Sequence, residues 1–277
     1  MNRRIPMIIA AAVALTLTGC SSSGAPAGMP PTLEHVHGIA ADPRGTDLFV
    51  ATHNGIFTVT PAGEVSGPIG GHDFDAMGFT VSDETLYASG HPGSQTPVEL
   101  GEPNLGLIRS EDYGQSWSPM SLTGTTDFHL LTAGPDGVLY GIASSQVDLL
   151  ISTDGGREWT RGASLEAVDL VATDVGVYAA AEEGLLLSVD QGATFSRVEV
   201  APTLYTLDAR SDGSLVGVDT DGNVWTQNAS GTWESTERVE GAAQAFSAVD
   251  DDRIILVDER GVVEITSEGS TVLSPAR

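Results

Sequence analysis

A short pattern, Ser-x-Asp-x-Gly-x-x-aromatic, occurs three times and constrains the fold more than any other feature of the sequence. It reads SEDYGQSW at 110–117, STDGGREW at 152–159 and SVDQGATF at 188–195. The copies begin 42 and 36 residues apart, and a run of β-forming residues precedes each of them. Self-similarity at a period of about 40 residues is typical of architectures that repeat one small structural unit.

Weaker copies of the same unit extend over residues 35–277. Each copy contains several short apolar runs separated by turn pairs such as Asn54-Gly55 and Asp136-Gly137. No stretch of this region has sustained helical periodicity. Repeats of four short strands predict an all-β fold, a β-propeller of about six four-stranded blades. The alternative is a ring of seven blades, which a strand from the N-terminal segment would close. The six units begin near His35, Asp75, Asp127, Ala167, Thr203 and Ala245.

The N-terminal 33 residues differ from the repeats. Arg3 and Arg4 precede an apolar run over 5–17, and the order is typical of a secretory signal. The run is shorter than the about 20 residues that span a bilayer. Residues 21–33 are mostly Ser, Gly, Ala and Pro and predict a flexible tether. We therefore expect a signal peptide at 1–19, a modified Cys20 with the tether at 20–33, and the propeller at 34–277.

The apolar run ends in Leu-Thr-Gly-Cys at 17–20, which resembles the lipobox of bacterial lipoproteins. The resemblance implies that the chain is cut before Cys20, that the Cys20 thiol carries a lipid, and that the lipid anchors the protein to the cell membrane. The predicted location is therefore extracytoplasmic. Two acyl chains on one residue would be sufficient for stable attachment.

Composition excludes several kinds of site and partner. Cys20 is the one cysteine, so the region after it cannot form a disulfide, a thiolate metal site or a Cys nucleophile. The formal net charge is −26, and removing residues 1–19, with two arginines and no acid, makes it −28. A field of this sign repels nucleic acid and anionic lipid headgroups, so a nucleic-acid partner is not expected.

The three motifs resemble the Asp-box, or BNR, repeat of a group of β-propellers. That group includes sialidases, sortilin-like domains, photosystem assembly factors and bacterial lipoproteins often labelled glycosylhydrolases. We interpret the motif as structural: its Ser and Asp side chains bond backbone N–H groups in the turn between the last two strands of a blade. The glycine takes a positive φ, and the aromatic packs between blades. The motif residues are Ser110, Asp112, Gly114, Trp117, Ser152, Asp154, Gly156, Trp159, Ser188, Asp190, Gly192 and Phe195.

All six histidines lie between residues 35 and 129. Aligning the repeats superposes His53 on His91, in the loop between the second and third strands. It also superposes the sets His37/Met77/His129 and His35/Asp75/Asp127, which we place before the first strand of their blades. In propellers these loops open on one face, so the alignment predicts that the histidines of blades 1–3 converge at one mouth of the central channel.

Imidazole is the commonest metal-ligand side chain, so this convergence predicts a site for zinc or copper. The expected ligands are His37, His53, His91 and His129, with His35 and His72 as further candidates. Asp73, Asp75 or Asp127 would support them, and Met77 would suit copper. The longest insertion, at 91–105, would leave the same face and act as a lid that brings Glu99 and Glu102 near the channel. Each histidine beside a glycine turn is also compatible with a purely structural role.

Glycosidic chemistry is the alternative, with Asp73, Asp75 and Asp127 as weak candidates for acid and base. A sialidase holds its carboxylate sugar with three arginines, but here only Arg260 and Arg238 are expected on the histidine face. The family's Phe/Tyr-Arg-Ile-Pro signature is also absent. Whether the chain is an enzyme stays open, as does the nature of its partner: a small ligand, a glycan or an envelope protein.

Overall fold

The computed structural model describes residues 31–228 and 230–276. It consists of six antiparallel sheets of four strands each, and the strands of every sheet follow one another in sequence. Two short 3-10 turns, Ile69–Gly71 and Val98–Leu100, are the helical elements of this part of the chain. Within these residues, no helix has the length and hydropathy needed to cross a membrane.

The strands group into six blades, numbered along the chain. Blade 1 holds β1 (Val36–Ala41), β2 (Leu48–Thr52), β3 (Gly55–Val59) and β4 (Val65–Ser66); blade 2 holds β5 (Asp75–Ser82), β6 (Thr85–His91), β7 (Leu107–Ser110) and β8 (Ser118–Ser121). Blade 3 holds β9 (Phe128–Ala133), β10 (Leu139–Ala143), β11 (Asp148–Ser152) and β12 (Thr160–Ser164); blade 4 holds β13 (Ala167–Ala172), β14 (Val177–Ala181), β15 (Gly184–Ser188) and β16 (Ser196–Arg197). Blade 5 holds β17 (Leu204–Ala209), β18 (Leu215–Asp219), β19 (Asn223–Gln227) and β20 (Trp233–Arg238); blade 6 holds β21 (Ala245–Ala248), β22 (Ile254–Asp258), β23 (Gly261–Thr266) and β24 (Gly269–Pro275).

The blades form a closed ring around a central channel. The first strand of each blade contacts the first strands of both neighbouring blades, including β21 with β1. Blade 6 packs on blade 1 through an apolar cluster that includes Val36, Val50, Ile255 and Val257. The six-bladed, all-β prediction is confirmed. Within residues 31–228 and 230–276 no strand is exchanged at the closure, since β24 pairs with β23 of its own blade and the described strands form six blades.

The burial of the strands explains why their sequences differ. All residues of β2 (LFVAT) and β22 (IILVD) are buried. Each blade packs between two others, and these neighbours cover both faces of its second strand. A short, continuous apolar run is the sequence signature of such a strand. Outer strands such as β12 (TRGAS) are largely exposed and polar.

Each of the three motifs forms the same turn between the third and fourth strands of its blade. In blade 2 the Ser110 hydroxyl donates to Asp112 Oδ1 at 2.8 Å and accepts from the Gly114 N–H at 2.7 Å. Gly114 has a φ of 86°, a conformation that glycine adopts without strain. In blade 4, hydrogen bonds from the Thr194 hydroxyl and N–H and from Ser188 lower the pKa of Asp190 to about 2. The carboxylates therefore act as local acceptors that hold the turn.

The first strand of five blades carries a β-bulge near its start. The bulge interrupts the pairing at one residue, for example between Val36 and Gly38 of β1. This register agrees with the predicted equivalence of His37, Met77 and His129. The prediction that they precede the first strands was wrong, because all three lie within those strands. Asp75 was also expected before its strand and is the first residue of β5. Bulges of this kind re-aim a side chain. The residues at the bulge are His37, Met77, His129, Val168 and Tyr205.

Candidate functional site

The central channel contains a cavity of about 1090 Å³, and the first strands of all six blades form its wall. The bulge residues His37, Met77 and His129 of blades 1, 2 and 3 line it. Side chains from three successive blades therefore face one cavity because they occupy equivalent positions in the repeat.

Two of the predicted histidines meet the carboxylate of Asp75, and we call His37, His53 and Asp75 the first triad. His37 Nε2 lies 3.2 Å from Asp75 Oδ1, and His53 Nδ1 lies 2.8 Å from Asp75 Oδ2. One nitrogen or oxygen atom of each residue lies within 4.8 Å of the other two. The Asp75 side chain is 11% exposed and that of His53 is 58% exposed, so the triad extends from the ring interior to the surface. A group of this composition could hold a metal ion.

Two atoms of the first triad are buried without a hydrogen-bond partner. These atoms are His37 Nε2 and Asp75 Oδ1, which face each other without hydrogen-bond geometry. Buried polar atoms in folded proteins are almost always paired, because an unpaired one keeps its full desolvation cost. A cation between these two atoms would give each of them a partner.

Two other predicted histidines meet Asp127, and His91, Asp127 and His129 are the second triad. The Asp127 Oδ2 atom lies 2.9 Å from His129 Nε2 and 3.3 Å from His91 Nε2. The contact with His129 has hydrogen-bond geometry. The Asp127 side chain is 6% exposed, whereas its two histidine neighbours are nearly half exposed.

The two triads are neighbours in the sheet of blade 2. Asp75 of the first triad and His91 of the second are cross-strand partners at the end of the β5–β6 pair. Directly opposed residues of an antiparallel pair have Cβ atoms about 5 Å apart. Met77 follows two residues after Asp75 and lines the cavity. Blades 1–3 therefore place four histidines and two aspartates close together at one end of the ring.

The remaining two histidines have different surroundings. The His35 ring centroid lies 5.9 Å from that of His53, so His35 borders the first triad. His72, which the sequence suggested as a further ligand, joins neither triad. Its Nε2 atom lies 3.1 Å from the Gln115 carbonyl oxygen in the β7–β8 turn, and its ring lies beside Phe74. The connection between blades 1 and 2 therefore places His72 against the β7–β8 turn instead of either triad.

Asp73, a weak catalytic candidate, holds the 91–105 insertion in place. Its carboxylate accepts hydrogen bonds from Ser94, Gln95 and Thr96. Desolvation raises the pKa of Asp73, but these hydrogen bonds outweigh it and leave the pKa below its ordinary value. A carboxylate fully engaged in positioning a loop is poorly suited to acid–base chemistry.

The insertion does not form the expected lid over the cavity. Glu99 and Glu102 are exposed, and neither lines the cavity. Leu100 and Leu105 are buried in the apolar cluster shared by blades 1 and 2, which holds the insertion on these two blades. The prediction of a lid was wrong, because the sequence pattern does not show in which direction a loop folds when its own apolar residues are buried in a core.

The cavity wall also contains two carboxylates that the sequence analysis missed, Asp169 and Asp208. Asp169 accepts hydrogen bonds from the Thr206 hydroxyl and the Leu207 N–H of the next blade. Burial raises the pKa of Asp169 to about 6, and that of Asp208 is raised for the same reason. An acidic residue within the otherwise apolar run AVDLVA was the available signal.

Asp208 makes the same kind of contact one blade further on, with the Ser247 hydroxyl and the Ala248 N–H. Both carboxylates therefore join neighbouring blades. These contacts between blades explain why acidic residues lie in the cavity wall, and they require no bound ligand.

The arginines do not assemble into a carboxylate-binding group. Arg260 is bonded to Asp258 with a closest distance of 2.7 Å, and Arg238 donates to the Asp221 carbonyl at 2.8 Å. Arg210 is the one arginine among the described residues that line the cavity. A site with three convergent guanidinium groups is therefore not present in residues 31–228 and 230–276.

Known proteins share the architecture at low sequence identity. No protein-family model matches the sequence, and comparison with curated proteins finds no significant match. Among solved structures, YCF48 bound to a D1 peptide is 16% identical with a TM-score of 0.54, over 89% of this chain and 82% of that one.

Two enzymes give comparable likenesses. A gluconolactonase from Xanthomonas campestris is 12% identical, with a TM-score of 0.60 over 83% of this chain and 85% of its own. An ancestral GH74 enzyme is 14% identical, with a TM-score of 0.52 over 87% of this chain and 38% of its own. At these identities the likeness concerns the fold alone. The chain is a six-bladed β-propeller of a kind that known enzymes and a peptide-binding protein also adopt.

Proposed function

We propose that the protein binds a divalent transition-metal ion, zinc or copper, at the first triad in the mouth of its channel, while a lipid on Cys20 holds it at the outer face of the cell membrane. The observation that carries the metal proposal is the pair of unpartnered buried atoms, His37 Nε2 and Asp75 Oδ1, beside a third ligand group on His53.

The distances of the first triad suit such an ion. Protein nitrogen and oxygen ligands bind zinc at about 2.0–2.2 Å, so two ligands of a tetrahedral ion lie roughly 3.4 Å apart. His37 and Asp75 approach to 3.2 Å, and His53 and Asp75 to 2.8 Å. Small rotations of the exposed His53 ring would bring all three groups to the ion. Three protein ligands leave a fourth position free for water or a small ligand from the channel.

The acidic surface supports a cationic ligand. The chain has a formal net charge of −26 and contains no lysine. Such a field raises the local concentration of cations and lowers that of anionic ligands. It therefore favours a metal ion over an anionic sugar at the same mouth.

Glycoside hydrolysis is the alternative, and one solved neighbour belongs to a glycosidase class. It receives less support from the contacts of the carboxylates. Asp73 is engaged with the 91–105 insertion, and Asp75 and Asp127 each face two imidazoles. A glycosidase needs one carboxyl group that can protonate the leaving oxygen and a second that can act as base or nucleophile.

Metal analysis tests the proposed site. Residues 21–277, purified, incubated with Zn²⁺ and dialysed, should retain zinc, and the His37→Ala, His53→Ala double variant should lose one equivalent. His72→Ala is the matched control, since its ring contacts Gln115 outside the triads. Retention of the same amount of zinc by the double variant would contradict the proposal. Cleavage of a chromogenic glycoside by wild-type protein that binds no metal would favour the alternative.

Fractionation tests the anchor, which lies outside the described residues. In a bacterial host supplied with labelled palmitate, the full-length chain should incorporate label and sediment with membranes. Cys20→Ser should remove both properties, because Cys20 is the one thiol in the chain. A Cys20→Ser variant that remains with the membranes would show that another feature holds the protein there.

A further inference from the structure

We infer that the second triad, His91, Asp127 and His129, is a separate binding site for a second divalent transition-metal ion. The inference rests on the proposed function for its chemistry, but its evidence comes from a different set of residues. Two imidazoles and one carboxylate are the same ligand types that form the first triad.

The carboxylate of the second triad is built into the ring interior. The Asp127 side chain is 6% exposed, and its Oδ1 atom is buried without any hydrogen-bond partner. The Asp127 carbonyl is fixed by the Ser144 N–H, and the following N–H of Phe128 by the Ser89 hydroxyl. A rigid, desolvated carboxylate with an unused oxygen is costly unless a cation or donor reaches it.

The imidazoles approach this carboxylate from two blades. His91 lies at the end of β6 in blade 2, and His129 at the bulge of β9 in blade 3. Both Nε2 atoms contact the same oxygen, Oδ2. The three ligand atoms of this triad are not all within 4.8 Å of one another, as those of the first triad are. Both rings are more than two-fifths exposed, so they can rotate toward an ion held by Asp127.

Local repetition explains why a second site would arise beside the first. In each site a histidine at the end of a blade's second strand, or just after it, meets an aspartate at the start of the next blade, as His53 meets Asp75 and His91 meets Asp127. The third member of each site is a bulge residue, but from a different place in the repeat. His37 of blade 1 faces Asp75 of the next blade, whereas His129 contacts Asp127 of its own blade, and Met77 occupies the bulge of blade 2. Because Asp75 and His91 are cross-strand partners, the two ions would be neighbours at one mouth.

Zinc stoichiometry in four proteins tests the inference. Residues 21–277 are compared as wild type, His53→Ala, His129→Ala and the double variant, by titration calorimetry with Zn²⁺ and by elemental analysis after dialysis. The expected contents are two equivalents for wild type, one for each variant with one substitution and none for the double variant. His72→Ala should keep two equivalents, and circular dichroism should show that every variant is folded.

The outcomes separate the two proposals. One equivalent in wild type, lost in His53→Ala and kept in His129→Ala, would overturn the second site and leave the first standing. One equivalent lost in His129→Ala and kept in His53→Ala would overturn the first site and leave the second standing. Wild type without zinc would overturn both.

Discussion

Replacing Phe128 with alanine is expected to lower the free energy of unfolding by about 3–5 kcal/mol. The Phe128 side chain is fully buried, and its ring centroid lies 4.9 Å from that of Trp159 in the next motif of the chain. The space around it cannot collapse easily, because the backbone of Gly141 on the neighbouring strand β10 is held by its pairing with Leu131 of β9. The loss combines the transfer of a large apolar group with the cavity that it leaves.

Urea denaturation followed by circular dichroism measures this loss. Val200→Ala is the control, because Val200 is 83% exposed and its truncation should change stability by less than about 0.5 kcal/mol. A decrease below about 1 kcal/mol in Phe128→Ala would show that the interface between blades 2 and 3 is packed less tightly than described. Since Phe128 lies between Asp127 and His129, the variant should also weaken zinc binding at the second triad more than at the first.

The second large effect concerns pH and the Asp169 carboxyl. Burial raises the pKa of Asp169 to about 6 from an ordinary value of 3.8. Between these two values the folded protein keeps a proton that the unfolded chain has already released. The free energy of unfolding therefore falls as the pH rises from about 4 to about 6, by at most about 3 kcal/mol for a difference of about two pKa units.

Asp169→Asn removes this titration. The free energy of unfolding of the variant should lack the decrease expected for wild type. The difference in this free energy, variant minus wild type, should therefore increase between pH 4 and pH 7. An offset from a lost hydrogen bond with Leu170 or Leu207 would be the same at every pH and does not affect this comparison. Thermal unfolding at several pH values measures the difference, with the exposed Asp174→Asn as the control. Parallel curves for Asp169→Asn and wild type would contradict the raised pKa.

Much of the fold could be predicted because its signals are local. The motif turns depend on residues within eight positions of one another, as in the bonds among Ser110, Asp112 and Gly114. The unit boundaries agree with the first strands to within about one residue, because buried strands appear as short apolar runs. The repeat alignment superposed His53 on His91 and Asp75 on Asp127, and in the structure each of these histidines meets the aspartate of the following blade.

Other features of the site could not be predicted, because they depend on contacts between distant residues. His72 bonds to the Gln115 carbonyl, 43 residues further along the chain, and no alignment of repeats contains that contact. The 91–105 insertion packs against the ring through Leu100 and Leu105 instead of covering the channel.

Residues close together in the sequence specify that the chain repeats one four-stranded unit, where each unit begins, and which residue types occupy equivalent loops, since strand periodicity and turn chemistry are encoded within a few residues. The packing of the blades, which local sequence does not specify, established that the ring closes with six blades and that Asp75 and His91 adjoin on blade 2. It also decided that Asp127 and Asp169 are desolvated. Closure, adjacency and desolvation depend on how whole blades pack against one another, and no short stretch of sequence carries that information.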